Sequence, residues 1–122
     1  MAKIAVVEDN DAMREQLCGF IAQYARESGR QLDVTAFADG AEIVDPYRPG
    51  FDIIFLDIEM PTLGGMPTAE RIRQVDPDVV LVFVTNMAQY AIRGYEVDAL
   101  DFVLKPVSYY QFSTKLERAL QR

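Results

Sequence analysis

Five positions in the chain have side chains that could do chemistry together. Asp57 follows the apolar run Ile53-Ile54-Phe55-Leu56. Glu8 and Asp9 follow Ile4-Ala5-Val6-Val7, Thr85 closes the run from Val79 to Val84, and Lys105 closes Phe102-Val103-Leu104. Taken alone, each has an ordinary explanation: a strand end, a helix cap or a solvated lysine. Taken together they suit one reaction. Three carboxylates held close repel, and their pKa values rise unless a cation binds. An all-oxygen donor set favours Mg²⁺, which keeps several waters in an octahedral shell. A lysine and a hydroxyl beside such a cation suit a phosphoryl group, the ammonium neutralising its oxygens and the hydroxyl donating a hydrogen bond. Asp57 is then the natural nucleophile, and its product an aspartyl phosphate. An ionised carboxylate needs no general base, so the absence of histidine costs this chemistry nothing.

The elements that must position these groups are short strands alternating with helices. The runs Ile53–Leu56 and Val79–Val84 are too short for helices and too apolar for one exposed face, so they read as strands buried on both sides. Leu32, Val34 and Ala36 alternate with polar residues, as on a sheet edge. Between the strands come a helix capped by Asn10 or Asp11, carrying Met13, Leu17, Phe20, Ile21 and Tyr24 and ending at Ser28-Gly29, and a short helix from Asp39 to Val44. A third, with Pro67 in its first turn, carries Met66, Ala69 and Ile72 and stops at Asp76-Pro77. A fourth has the thin stripe Met87, Ala88, Ala91, Ile92 and Tyr95, and a fifth is capped by Ser108 and carries Tyr109, Phe112, Leu116, Ala119 and Leu120. Five strands and five helices in alternation predict an α/β fold, a flavodoxin-like doubly wound five-stranded parallel sheet of order 2-1-3-4-5. All carboxyl ends of a parallel sheet share one side, so Glu8, Asp9, Asp57, Thr85 and Lys105 should meet there.

Composition narrows the function. The 122 residues make one domain, half apolar, with a net charge of −7. That charge argues against direct nucleic-acid contact, which needs clustered Lys and Arg. No apolar run approaches the roughly 18 residues of a membrane span, and no secretory signal opens the chain. The single cysteine, Cys18, excludes an internal disulfide and fits a reducing, cytoplasmic setting. It reads as a small apolar filler on the first helix.

Over nearly its whole length the chain resembles the receiver domain of two-component response regulators. The resemblance rests on Val6-Val7-Glu8-Asp9, on Asp57-Ile58-Glu59-Met60-Pro61 with Gly65, on Val84-Thr85 and on Lys105-Pro106. The stretch Thr85 to Phe102 is similar to the subgroup whose receiver precedes a LytTR-type DNA-binding domain. The resemblance implies that Asp57 accepts a phosphoryl group from a sensor histidine kinase. It implies Mg²⁺, with Mn²⁺ able to substitute, held by Glu8, Asp9, Asp57 and the backbone carbonyl of Glu59. Lys105 would pair with Asp57 and then with the phosphoryl group, and the bond to Pro106 would be cis. Thr85 and Phe102 would form the switch that alters the surface of the fourth helix, fifth strand and fifth helix. That surface would control homodimerisation or a DNA-binding output domain lying outside these 122 residues. The domain is thus expected to be no enzyme beyond Mg²⁺-dependent self-phosphorylation from small phosphodonors and autodephosphorylation. Three positions depart from the common family pattern: Phe102 has no ring hydroxyl, Asn86 is larger than the small residue often found there, and Glu59 adds an acid beside the site.

A second class stays in view, a small Mg²⁺-dependent aspartyl-phosphate phosphatase of the haloacid-dehalogenase type, whose motifs Asp57-x-Glu59, Thr85 and Lys105 loosely imitate. In that family the acid pair comes last, whereas here Glu8-Asp9 comes first. A third reading, a receiver-like fold that only mediates contacts, would be favoured by loss of Asp57, Asp9 or Lys105, and all three are present.

Overall fold

The structure is a computed structural model describing residues 1–122. Its strands are β1 (Ala2–Val7), β2 (Leu32–Phe37), β3 (Ile53–Leu56), β4 (Val80–Thr85) and β5 (Asp101–Leu104). All pairs are parallel, and the order is β2-β1-β3-β4-β5, as expected. The four α-helices are α1 (Asp11–Ser28), α2 (Gly40–Val44), α3 (Gly65–Val75) and α4 (Tyr109–Leu120). No helix is long and apolar enough to cross a membrane.

Successive strand residues point to opposite faces, and this divides the core in two. Ile4, Val6, Ile53, Phe55, Val82 and Val84 pack against Leu17 and Ile21 of α1 and Phe112 and Leu116 of α4. Ala5, Val7, Ile54, Leu56, Leu81 and Phe83 pack on the other face against Ile43 of α2 and Met66, Ala69 and Ile72 of α3. All four residues of β3 are buried, which is why its sequence shows no alternation. Each large apolar side chain so buried stabilises the fold by about 1.5–3 kcal/mol.

Helix ends follow local chemistry. The Asn10 side chain accepts a 2.9 Å hydrogen bond from the Met13 N–H, and Gly29 closes α1 with φ 73°. Ser108 and Gln111 form a reciprocal capping box at the start of α4.

Of the five expected helical connections, the fourth is not one α-helix. It is two 3₁₀ segments, Ala88–Tyr90 and Ile92–Val97. The cause is visible in the sequence stripe. No side chain caps either segment, Gly94 lies inside the second, and only Gly94 and Val97 are buried. Ile92 and Tyr95, expected on the inner stripe, are 78% and 88% exposed. With so little area removed from water, tertiary packing does not hold a regular helix.

Candidate functional site

Strand register places the acids side by side. Val7 pairs with Leu56, Leu56 with Phe83 and Thr85 with Leu104, so the carboxyl ends are nearly flush. The ladder continues one step beyond: the Asp57 N–H donates to the Val7 carbonyl at 3.1 Å, and the Lys105 N–H to the Thr85 carbonyl at 2.9 Å. Glu8 and Asp57 therefore arrive on neighbouring backbones, and the long Lys105 side chain reaches them from β5, with β4 in between.

Lys105 bridges the two buried acids. Its Nζ lies 2.7 Å from Glu8 Oε1 and 3.2 Å from Asp57 Oδ2. Sequence reasoning paired it with Asp57; Glu8 is the nearer partner. The Ile58 N–H donates to Asp57 Oδ1 at 2.7 Å, and the Asn10 N–H to Glu8 Oε2 at 3.1 Å. Burial raises the Glu8 pKa, and the neighbouring Asp57 charge adds to this against the pull of Lys105 and the Asn10 N–H. For Lys105, burial pulls the other way, but contact with Glu8 and Asp57 prevails and its pKa is raised. Asp9 is exposed at the rim. Arg14 of α1 ties the same rim to the Glu8 carbonyl at 2.9 Å.

The cluster fits a divalent cation. Glu8, Asp9 and Asp57 each offer a carboxylate oxygen, all within 4.8 Å of one another. The one ammonium at the cluster pairs with Glu8 and Asp57. Glu8 Oε1 is buried and, although ion-paired with Lys105, accepts no directed hydrogen bond. An all-oxygen set with one acid open to solvent suits a hard divalent cation.

Thr85 is fully buried. Its Oγ1 accepts from the Met87 N–H at 3.2 Å, and no hydrogen bond joins that hydroxyl to a side chain of Asp57, Glu8 or Lys105. It stands next to the site through its backbone and reaches toward the 3₁₀ connection through its side chain. Phe102 is half-buried, its ring 6.4 Å from that of Phe83. Asn86 and Glu59 are exposed. The Lys105–Pro106 peptide is cis, as is Asp45–Pro46. Cys18 is half-buried against the core, and burial pushes its thiol pKa up. A cavity of about 840 Å³ opens far from these groups, at the amino end of the strands beside Ile53, Arg73 and Asp76.

Two residues that sequence reasoning left out shape the surroundings. Asp39, expected only to start a short helix, is buried. It accepts from the Ala41 N–H at 2.9 Å, and from the N–H groups of Thr62 and Leu63 at 2.9 Å each. Arg73, in the last turn of α3, donates to the carbonyls of Val97 (2.6 Å), Asp98 (3.0 Å) and Val79 (2.6 Å). An acid before a helix and an arginine in a last turn are the local signals, but neither reveals its distant partners.

The model of the response regulator receiver domain matches residues 4–117. The sensory transduction protein LytT of Oceanobacillus iheyensis is 31% identical over 94% of this chain and 46% of its own length. The transcriptional regulatory protein BtsR of Escherichia coli is 32% identical over all of this chain and 48% of its own. The chain thus spans about half the length of these relatives. The non-phosphorylated HemR receiver domain of Leptospira biflexa, 30% identical, superposes with a TM-score of 0.87 over all of this chain and 96% of that one.

Proposed function

The chain belongs to the response regulator receiver domain family, and from that premise we propose that Asp57 accepts a phosphoryl group from the phosphohistidine of a sensor kinase. The observation that carries the reading is Lys105 bridging Glu8 and Asp57 beside an open Asp9. Asp57 is held for attack: the Ile58 N–H fixes Oδ1 and Lys105 fixes Oδ2. Its carboxylate oxygen forms the new P–O bond while the bond from phosphorus to the kinase imidazole breaks, returning that electron pair to nitrogen. Glu8, Asp9 and Asp57, with the Glu59 carbonyl, would hold Mg²⁺. When bound, the cation offsets charge on the phosphoryl oxygens. Lys105 then moves its contact from the Asp57 carboxylate to the phosphoryl group.

The response passes through Thr85. Its hydroxyl can donate to the phosphoryl group while still accepting from the Met87 N–H, so its movement draws on the first residues of the 3₁₀ connection. Phe102 packs behind that connection. Ile92, Tyr95, Leu104 and Tyr110, exposed by 78%, 88%, 48% and 79%, lie along the connection, β5 and α4, and supply apolar surface for homodimerisation or for contact with an output domain. The names of the relatives and their greater length support an output domain of the LytTR DNA-binding type in a longer protein. The single half-buried cysteine suits action in the cytoplasm.

Intact mass tests the reading. With Mg²⁺ and acetyl phosphate the domain gains one labile adduct of about 80 Da, the mass of a phosphoryl group on a carboxylate nucleophile. Asp57→Asn gains none. Rapid turnover of phosphomonoesters without an adduct contradicts the proposal.

A further inference from the structure

We infer that Asp39 is a positioning residue for the metal side of the site, holding the loop that carries Glu59 in its binding shape through the N–H groups of Thr62 and Leu63. The inference rests on the reading above, in which the Glu59 carbonyl is a Mg²⁺ ligand.

Asp39 is too well provided for to be only a helix cap. The helix it caps has five residues, and one N–H bond, from Ala41, serves that purpose. The other two cross 23 and 24 residues of sequence to the loop between β3 and α3. The residue is 8% exposed, and its carboxylate forms no salt bridge with a cation. Its charge is balanced by three backbone N–H groups, which outweigh the effect of burial and hold its pKa below the ordinary value.

The loop depends on it. Between Glu59 and Gly64, the only backbone N–H groups that donate a hydrogen bond are those of Thr62 and Leu63, and both go to Asp39. The neck is closed separately. There the Gly65 N–H donates to the Ile58 carbonyl at 2.7 Å, and Thr68 Oγ1 donates to the Gly64 carbonyl at 2.7 Å. Glu59, Pro61 and Thr62 are otherwise exposed. Asp39 thus fixes the outer bend of a loop whose neck already sits on Asp57. Groups that orient a metal's ligands without touching the metal typically change affinity 10–100-fold when removed.

The test separates capping from positioning. In Asp39→Ser the hydroxyl still caps α2 but is too short to reach the loop. In Asp39→Asn the shape and the Oδ1 bonds remain, while an amide replaces the Oδ2 acceptor facing Thr62. Titration calorimetry with Mg²⁺ alone gives the affinities, and amide exchange reports Thr62 and Leu63. The expected order of affinity is wild type, then Asn, then Ser, with Ser weaker by about 10-fold and both amides exchanging faster. At saturating Mg²⁺, Asp39→Ser still forms the phosphoryl adduct. If Asp39→Ser melts earlier yet binds Mg²⁺ like wild type, Asp39 is only a cap and the inference is overturned alone. Should Asp39→Ser not fold, Asp39→Asn, which keeps the residue's shape, decides the same question: unchanged Mg²⁺ affinity overturns the inference. If the wild-type chain binds no Mg²⁺, the metal reading falls and this inference falls with it.

Discussion

Two connections flank Asp57 along the carboxyl edge of the sheet, and they are built in opposite ways. The loop from Ile58 to Gly64 is short and held at every turn: Gly65 against the backbone of Asp57 and Ile58, Thr68 on Gly64, Asp39 on Thr62 and Leu63. The connection from Asn86 to Leu100 is longer, lacks side-chain caps, forms only 3₁₀ turns and exposes Ile92 and Tyr95. It is tied at its start by one bond to Thr85 and at its end by Arg73 on Val97 and Asp98. A binding site and a reporter need different mechanics. A cation site gains affinity from ligands that do not reorganise. A switch needs an element of low local stability whose packing a small bias can change. The fold places a tightly held connection on one side of the same aspartate and a loosely held one on the other.

The same substitution should act in opposite directions in the two regions. Gly65→Ala comes first in size. A Cβ there runs into the Asp57 carbonyl oxygen and lies 2.9 Å from the Ile58 Cα, all backbone that cannot step aside. Overpacking of this kind costs about 2–3 kcal/mol, seen as an earlier thermal midpoint, with adduct formation impaired because the Asp57 backbone must shift. Full stability in Gly65→Ala would remove the rigid half of the comparison.

Arg73→Ala comes next. It strips charge-assisted hydrogen bonds from the carbonyls of Val97, Asp98 and Val79, and a loss of about 2 kcal/mol is expected in urea melts. Amide exchange should rise at Gly94 to Ala99 and stay unchanged at Thr62 and Leu63. Equal loosening on both sides would show that the two connections are not independent.

Gly94→Ala is the smallest. A Cβ there meets only Ala99 Cβ at 3.5 Å, an ordinary contact. Reduced chain entropy in the unfolded state should stabilise the domain by about 0.5 kcal/mol. Circular dichroism should show a small gain in helix as the connection tightens. Destabilisation instead would mean that Gly94 is needed for close packing and that the connection is less loose than its exposure implies.

Much of this was legible in sequence, for local reasons. Ile53–Leu56 and Val79–Val84 announced buried parallel strands, because a strand covered on both faces has no polar side to show. Once the sheet was parallel, the shared side of its strand ends brought Glu8, Asp57 and Lys105 together without knowledge of loops. What was not legible depends on contacts distant in sequence. Asp39 looks like any helix cap until Thr62 and Leu63 arrive beneath it, and Arg73 like any last-turn arginine until Val97 does. That Lys105 sits closer to Glu8 than to Asp57 is a matter of tenths of an ångström, beyond the reach of pattern. The thin stripe from Met87 to Tyr95 did signal weak packing, but period alone does not separate a poor α-helix from 3₁₀ turns.

Amide hydrogen exchange on the whole domain, with Mg²⁺ and with or without acetyl phosphate, reads both connections at once. Phosphorylation should change exchange from Met87 to Val97 while Thr62, Leu63 and Gly65 keep their protection, and Asp57→Asn should show neither adduct nor change. Altered protection at Thr62 and Leu63 with an unchanged Met87 to Val97 segment would contradict the contrast between the two connections.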